Sequence, residues 1–287
     1  MSRLVCIGLG YTARALADRM RADGWHVAGT ARAAEGARRI AASCDAPIVF
    51  DGARPSPALE AAIATATHVL ASAPPGEGGD PILAQHGAAL RSSPSLAWAG
   101  YLSTVGVYGD HQGAWVDETT TPHPLSERGR RRLAAEQAWL ALGAASGKRV
   151  QVFRLPGIYG PGRSAIDSLR DGSARRLVKP GQVFNRVHVA DIATALVAAM
   201  RGRGRQAVYN VCDDEPAPPQ DVIAYAAGLV GVVPPPEQPF DGAALSPMAA
   251  SFYAENKRVG NALMKADLGV TLRYPTYREG LASIAAG

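Results

Sequence analysis

The stretch from Leu4 to Arg32 leaves this chain few ways to fold. Leu4-Val5-Cys6-Ile7 is a short apolar run, followed by Gly8-Leu9-Gly10-Tyr11-Thr12-Ala13 and an alanine-rich segment that reaches Asp23. Gly24 stops that segment, and Trp25 to Arg32 is a second strand-like run. A buried strand, a tight glycine turn, a helix, a glycine stop and a second strand predict a βαβ unit, hence an α/β fold.

Within such a unit, G-x-G-x-x-A at Gly8, Gly10 and Ala13 is a dinucleotide fingerprint. Gly8 allows the turn, Gly10 lets the backbone approach a pyrophosphate, and the small Ala13 lets helix and strand pack closely. The first helical turn at Tyr11, Thr12 and Ala13 presents N–H groups that no intrahelical acceptor meets, where the helix dipole favours an anion. The bland alternative is a strand-to-helix turn that merely needs glycines. The second strand ends Gly29-Thr30-Ala31-Arg32, with no carboxylate before Glu35. A free ribose diol is usually met by an acidic residue there; a hydroxyl at Thr30 and a guanidinium fork at Arg32 suit a 2′-phosphate instead. The expected cofactor is NADP rather than NAD.

Beyond Arg32 the pattern alternates. Helical stretches at Glu35–Cys44, Ala58–Ala66 and Pro81–Arg91 separate strand-like runs at Pro47–Asp51, Thr67–Ala73 and Ala97–Thr104. Strands separated by short helices imply a Rossmann-type, doubly wound parallel sheet. Ligands in such sheets bind beyond the carboxyl ends of the strands, here Gly8, Arg32, Asp51, Ala71 and Thr104, with Asp51 and Ala71 expected beside the adenine. A helix over 126–143 and a strand over 150–155 extend the pattern, which then loosens. Val187–Met200 reads as an amphipathic helix, 207–212 as a strand, and short helices are expected near 221–230 and 258–268. The expected organisation is a nucleotide-binding domain over 1–155, with 187–212 returning to it, and a smaller substrate lobe over 156–287.

Composition narrows the function. With 47% hydrophobic and 19% charged residues the chain reads as an ordinary globular protein. No apolar run approaches the roughly 18 residues of a membrane span, and the N-terminus reads as a core strand rather than a signal peptide, so a cytoplasmic protein is expected. Basic residues cluster at Arg128–Arg132 and Arg201–Arg205, but aromatics are only 6%, so the stacking surface of a nucleic-acid binder is not expected. Cys6, Cys44 and Cys212 lack metal-ligand spacing and read as thiols, buried where they fall in strands; no metal site is expected.

The chain resembles the extended short-chain dehydrogenase/reductases, the NAD(P)-dependent epimerase/dehydratase family. The carriers are the N-terminal fingerprint, Ser103-Thr104-Val105-Gly106-Val107-Tyr108-Gly109, Glu118, Pro124-Leu125-Ser126, Arg154 to Gly162, Val187-His188-Val189-Ala190-Asp191 and Tyr209-Asn210-Val211. The glycine spacing differs from that of ordinary extended members and points to an atypical branch. The resemblance implies that Thr104 hydrogen-bonds the substrate oxygen and that Pro156 to Ile158 pass along the nicotinamide. It places Arg128 where the family has its catalytic Tyr, and Arg132 where it has its Lys. Arginine stays charged and has no acceptor, so it cannot shuttle a proton. Arg132 can still hold a ribose or phosphate, and Arg128 can act as an electrostatic clamp on substrate.

A literal Tyr-x-x-x-Lys at Tyr253–Lys257 lies far along the chain and is expected to be structural. Tyr101, Tyr108, Tyr159 and Glu127 are the other candidate proton donors, and His188 and Asp191 read as ties between the small lobe and the sheet. The implied activity is an NADP-dependent oxidoreductase or epimerase/dehydratase with an altered site, acting on a sugar-like or nucleotide-linked small molecule. The alternative is an inactive NADP-binding sensor or scaffold. The helices at 81–91 and 126–143 are where a homodimer would pair.

Overall fold

Strand β1 (Arg3–Ile7) is almost wholly buried and organises what surrounds it. The computed structural model describes residues 2–242 and 245–287. The chain forms two units: Met1–Thr104 with Glu127–Arg154 and Ala193–Tyr209, and Val105–Ser126 with Leu155–Ile192 and Asn210–Gly287. The segment 105–126, which the sequence leaves with the N-terminal domain, thus groups with the second unit.

In the first unit β1 pairs in parallel with β2 (His26–Ala31) on one side and β4 (His68–Ala71) on the other. β3 (Ala46–Val49) adds to β2 and β5 (Trp98–Thr104) to β4, again in parallel. The strands Arg149–Leu155 and Val208–Asn210 complete a seven-stranded sheet. The order runs β3-β2-β1-β4-β5 and then those two strands, so the chain reverses direction across the sheet between β1 and β4. That reversal is the topological switch point of a doubly wound fold.

Helix α1 (Tyr11–Ala22) buries Ala13, Leu16, Ala17 and Met20, the stripe that three- and four-residue spacing lays on one face. After α2 (Ala34–Ile40), α3 (Pro57–Thr65) and α4 (Pro81–Ser92) each begin with proline after an oxygen-bearing cap, Ser56 and Asp80. Asp80 also accepts the indole N–H of Trp139 at 3.0 Å, tying α4 to α5 (Glu127–Ser146). The Glu136 carboxylate on α5 receives the Arg154 guanidinium at 2.8 Å and the Ser103 hydroxyl, all three groups being buried. One acidic side chain thereby joins α5, β5 and the strand after it. The three cysteines are buried free thiols.

The second unit is built from short parallel pairs and helices. Arg186–His188 pairs with Gly157–Tyr159, and Arg258–Val259 with Trp115–Val116. Two sequence expectations are corrected here. The helix expected from Val187 starts at Val189, because Val187 is opposite Ile158 in a strand. Of the helix expected over 258–268 only Ala262–Asp267 forms, its first residues being in a strand. The C-terminal helix Tyr277–Ala286 carries a capping box of Thr276 and Glu279 and packs Tyr277 and Leu281 against Tyr159, Ile166 and Val222. Gly280 is required there: a Cβ would come within 2.6 Å of the Tyr159 ring carbons. No helix among the described residues is long and apolar enough to cross a membrane.

Candidate functional site

The carboxyl ends of β1, β2, β3 and β4 open onto a cavity of about 600 Å3. Gly8 and Gly10 wall it beside Arg32, Asp51 and the Ser72–Pro74 turn. Gly8 has φ +92°, and a Cβ there would stand 3.0 Å from the Ala73 amide nitrogen. Only glycine combines that backbone with that approach. Gly10 is different: it caps α1 in extended backbone with no side-chain cap, and a Cβ on it would meet no protein atom within 4 Å. The first-turn amides of α1 therefore have no side-chain acceptor at the cap, and space is left beside Gly10. This arrangement fits a diphosphate.

Thr12 and Ala13 are buried under that turn, and Tyr11 is half-buried. Thr30 plays a structural part as well as lining the cavity: its hydroxyl accepts the Gly8 N–H at 2.8 Å, while its carbonyl accepts the Leu9 N–H at 2.9 Å. Arg32 is exposed on the wall, with no hydrogen bond or ion pair among the described residues. Asp51 accepts the Ala53 N–H at 2.8 Å and also lines the cavity. Ala71 does not: its side chain is in the core, and the wall after β4 is made by Ser72, Ala73 and Pro74. The Gly76–Gly79 turn, where Gly76 and Gly79 exchange backbone hydrogen bonds, adds wall outside the strand ends expected from the sequence. Its three glycines in four residues were the available signal.

Thr104 is the last residue of β5 and half-buried. Arg128 is exposed on the first turn of α5, with no hydrogen bond or ion pair among the described residues. Arg132, one turn further, is less available. Its Nη1 donates to the Tyr101 hydroxyl at 3.1 Å and to the Leu102 carbonyl at 2.8 Å, and the guanidinium lies 5.7 Å from the Tyr101 ring centre. It fastens α5 to β5.

The alternative proton donors are all engaged. Tyr101 is fully buried and its phenol is pushed up to about 12 by burial, against the opposing Arg132 charge. Tyr108 donates to the Asn210 amide oxygen at 2.8 Å within the second unit. Tyr159 donates to the Thr276 carbonyl at 3.3 Å, and burial drives its phenol upward. Glu127 is exposed and bonded to Arg130 and Arg131, which hold its carboxyl below the usual range.

Pro156 and Ile158 belong to the second unit, Pro156 half-buried and Ile158 opposite Val187. The Tyr253–Lys257 motif is structural there: Lys257 is buried, donates to the Gly109 carbonyl at 2.7 Å and pairs with Glu255 at 2.6 Å. Asp191 accepts the backbone N–H groups of Arg273 and Tyr274 at 2.7 and 3.0 Å, and the His188 ring lies between those of Tyr159 and Tyr274. Both residues thus tie the C-terminal segment into the second unit itself.

Residues 91–212 match the model of the NAD dependent epimerase/dehydratase family. A solved structure of a functionally unknown conserved protein from Silicibacter pomeroyi DSS is 50% identical, with a TM-score of 0.89, covering 100% of this chain and 99% of that one. Protein YeeZ of Escherichia coli (strain K12) is 26% identical over 250 residues, 82% of this chain and 86% of YeeZ. The fold is shared with UDP-glucuronic acid 4-epimerase from Bacillus cereus, solved in complex with NAD, at 16% identity, a TM-score of 0.75 and coverage of 99% and 96%. Residues 91–212 are thus similar to the NAD dependent epimerase/dehydratase family, on a fold shared with that epimerase.

Proposed function

We propose that this chain is an NADP-dependent oxidoreductase or epimerase/dehydratase-type enzyme with an altered active site, acting on a sugar-like or nucleotide-linked small molecule. The observation that carries the reading is the shared wall of one cavity by the glycine turn Gly8–Gly10 and the unpaired Arg32. The uncapped α1 amides receive the diphosphate, Gly10 leaves it room, and Arg32 receives a 2′-phosphate. The bound nicotinamide supplies hydride chemistry. Thr104 donates a hydrogen bond to the substrate oxygen. Arg128, with no partner among the described residues, clamps an oxyanion, carboxylate or phosphate of the substrate. Arg132 acts as a positioning residue through Tyr101 and Leu102.

Fluorescence titration with NADPH and NADH tests the cofactor. The wild type is expected to prefer NADPH, and Arg32→Asp to lose roughly tenfold or more of that preference, the worth of a charge-assisted hydrogen bond. An unchanged preference removes Arg32 from the site, and binding of neither coenzyme removes the whole reading. Turnover is tested by NADPH consumption over a panel of carbonyl compounds and sugar nucleotides, with loss in Thr104→Ala and Arg128→Ala.

A second reading, an NADP-binding sensor or scaffold without turnover, is favoured by one observation. Tyr101, Tyr108, Tyr159 and Glu127 all have their polar groups bonded within the protein. Tight coenzyme binding with no consumption across the panel selects it.

A further inference from the structure

The second unit contains its own cavity, of about 470 Å3, which the dinucleotide reading does not use. Arg163, Arg175 and Arg186 contribute to its wall together with Ile158, Val222 and Leu281. Arg186 opens the strand Arg186–His188. Its Nη1 donates to the carbonyl oxygens of Phe184 at 2.8 Å and Ala217 at 3.0 Å, which fixes the plane of the guanidinium. Nε and Nη2 remain, the pair of parallel donors that grips a carboxylate or phosphate bidentately. Neither has an acceptor among the described residues, and Arg186 forms no ion pair there.

Asp167 and Asp171 also line the cavity, and Asp213 and Glu215 are near enough to favour the charged guanidinium, but none of these forms an ion pair with Arg186 among the described residues. Asp167 accepts the Ser164 hydroxyl at 2.6 Å, and Asp171 accepts the Ser173 N–H at 2.9 Å. Asp213, whose backbone N–H bonds the Arg186 carbonyl, is pushed up to about 8 by burial, which the Arg186 charge opposes. Of the other two guanidiniums, Arg175 donates to the carbonyls of Gly172 and Ala174, and Arg163 is exposed. A largely desolvated cation is costly unless a counter-charge completes it. Ile158, Val222, Ile223 and Leu281 give the wall an apolar part beside Ser168 and the Tyr159 and Tyr277 rings, and the volume is that of a small-molecule site.

We propose that this cavity binds a small organic oxyanion, a carboxylate or phosphate ester on an apolar or aromatic body, with Arg186 as its anchor. The site does not rest on the dinucleotide reading of the first unit.

Calorimetric titration of the full chain tests it, with benzoate and phenyl phosphate as probes, inorganic phosphate as the charge without the body, and benzyl alcohol as the body without the charge. Benzoate or phenyl phosphate is expected to bind at one site, more tightly than inorganic phosphate, with no binding of benzyl alcohol. The stronger of the two probes identifies the anion class. Arg186→Lys keeps the charge but loses the fork, and is expected to weaken binding about tenfold. Ile223→Trp, at a half-buried wall position, is expected to block binding without altering any charge, and melting curves establish that each variant is folded. Saturating NADPH and the Arg32→Asp substitution are expected to leave the titration unchanged. No heat from either anion at millimolar concentration, undiminished binding in a folded Ile223→Trp variant, or displacement by NADPH would overturn the proposal.

Discussion

The first unit walls its cavity largely with backbone; the second walls its cavity with side chains. Beyond β1 the features that matter are a left-handed glycine, uncapped amides and a neighbouring turn, all consequences of local geometry. In the second unit Arg186, Ile158, Val222 and Leu281 come from segments up to 123 positions apart, and the anchor's orientation depends on carbonyls at 184 and 217. A backbone site depends on its dihedrals and on the room left beside the chain. A side-chain site depends on the packing that delivers each group.

Breaking the core beneath the first unit should have the largest effect. Arg154→Ala leaves the buried Glu136 carboxylate without its partner, and about 3–5 kcal/mol of stability is expected to be lost in denaturant titration. A much smaller loss would mean that the Ser103 hydroxyl alone sustains Glu136.

In the second unit the comparable buried acid is Asp213, with an oxygen that has no hydrogen-bond partner among the described residues. Folded, it keeps its proton up to about pH 8, against an ordinary value of 3.8. The folded state therefore binds more protons across that window, and stability falls as pH rises through it. His188, held down to about 4 by burial, opposes this only below its ordinary 6.5. Asp213→Asn is expected to remove this fall, whose slope is at most about 1.4 kcal/mol per pH unit, as read by thermal melts over a pH series up to pH 8. A wild-type stability flat over that range would place the Asp213 ionisation elsewhere.

The two glycines of the first cavity sharpen the contrast. Gly8→Ala, at φ +92° and against Ala73, is expected to cost about 1–3 kcal/mol and to impair coenzyme binding with it. Gly10→Ala is expected to leave stability within about 0.5 kcal/mol, because its Cβ meets no protein atom, yet still to weaken coenzyme binding. If both variants lost stability equally, Gly10 would be a folding residue rather than a binding one.

Legibility followed the same division. β1, α1 and β2 could be read from Leu4–Arg32 because periodicity and glycine stops act within a few residues. Val187 was misread as helical because Val-His-Val-Ala-Asp-Ile-Ala continues a helical stripe, and only pairing with the strand from Gly157 draws its first two residues out. The helix Tyr277–Ala286 was missed although Thr276-x-x-Glu279 is a capping box written in sequence. Ala71 was placed at the adenine side because the strand's end was legible, but not which residue would turn into the core. The engagement of Tyr101, Tyr108 and Tyr159 could not be read, since each hydroxyl partner lies between 31 and 117 positions away.

The amino-acid sequence by itself determined the parallel α/β sheet, the glycine turn at its first strand and the absence of a phenol at Arg128, because each follows from residue type and short-range spacing. Only the packed chain shows that Thr30 braces the turn, that Arg132 is fastened to β5 and that Arg186 keeps two donors without acceptors among the described residues. Those outcomes depend on which distant carbonyl or hydroxyl arrives within about 3 Å, and no local rule of propensity carries that information.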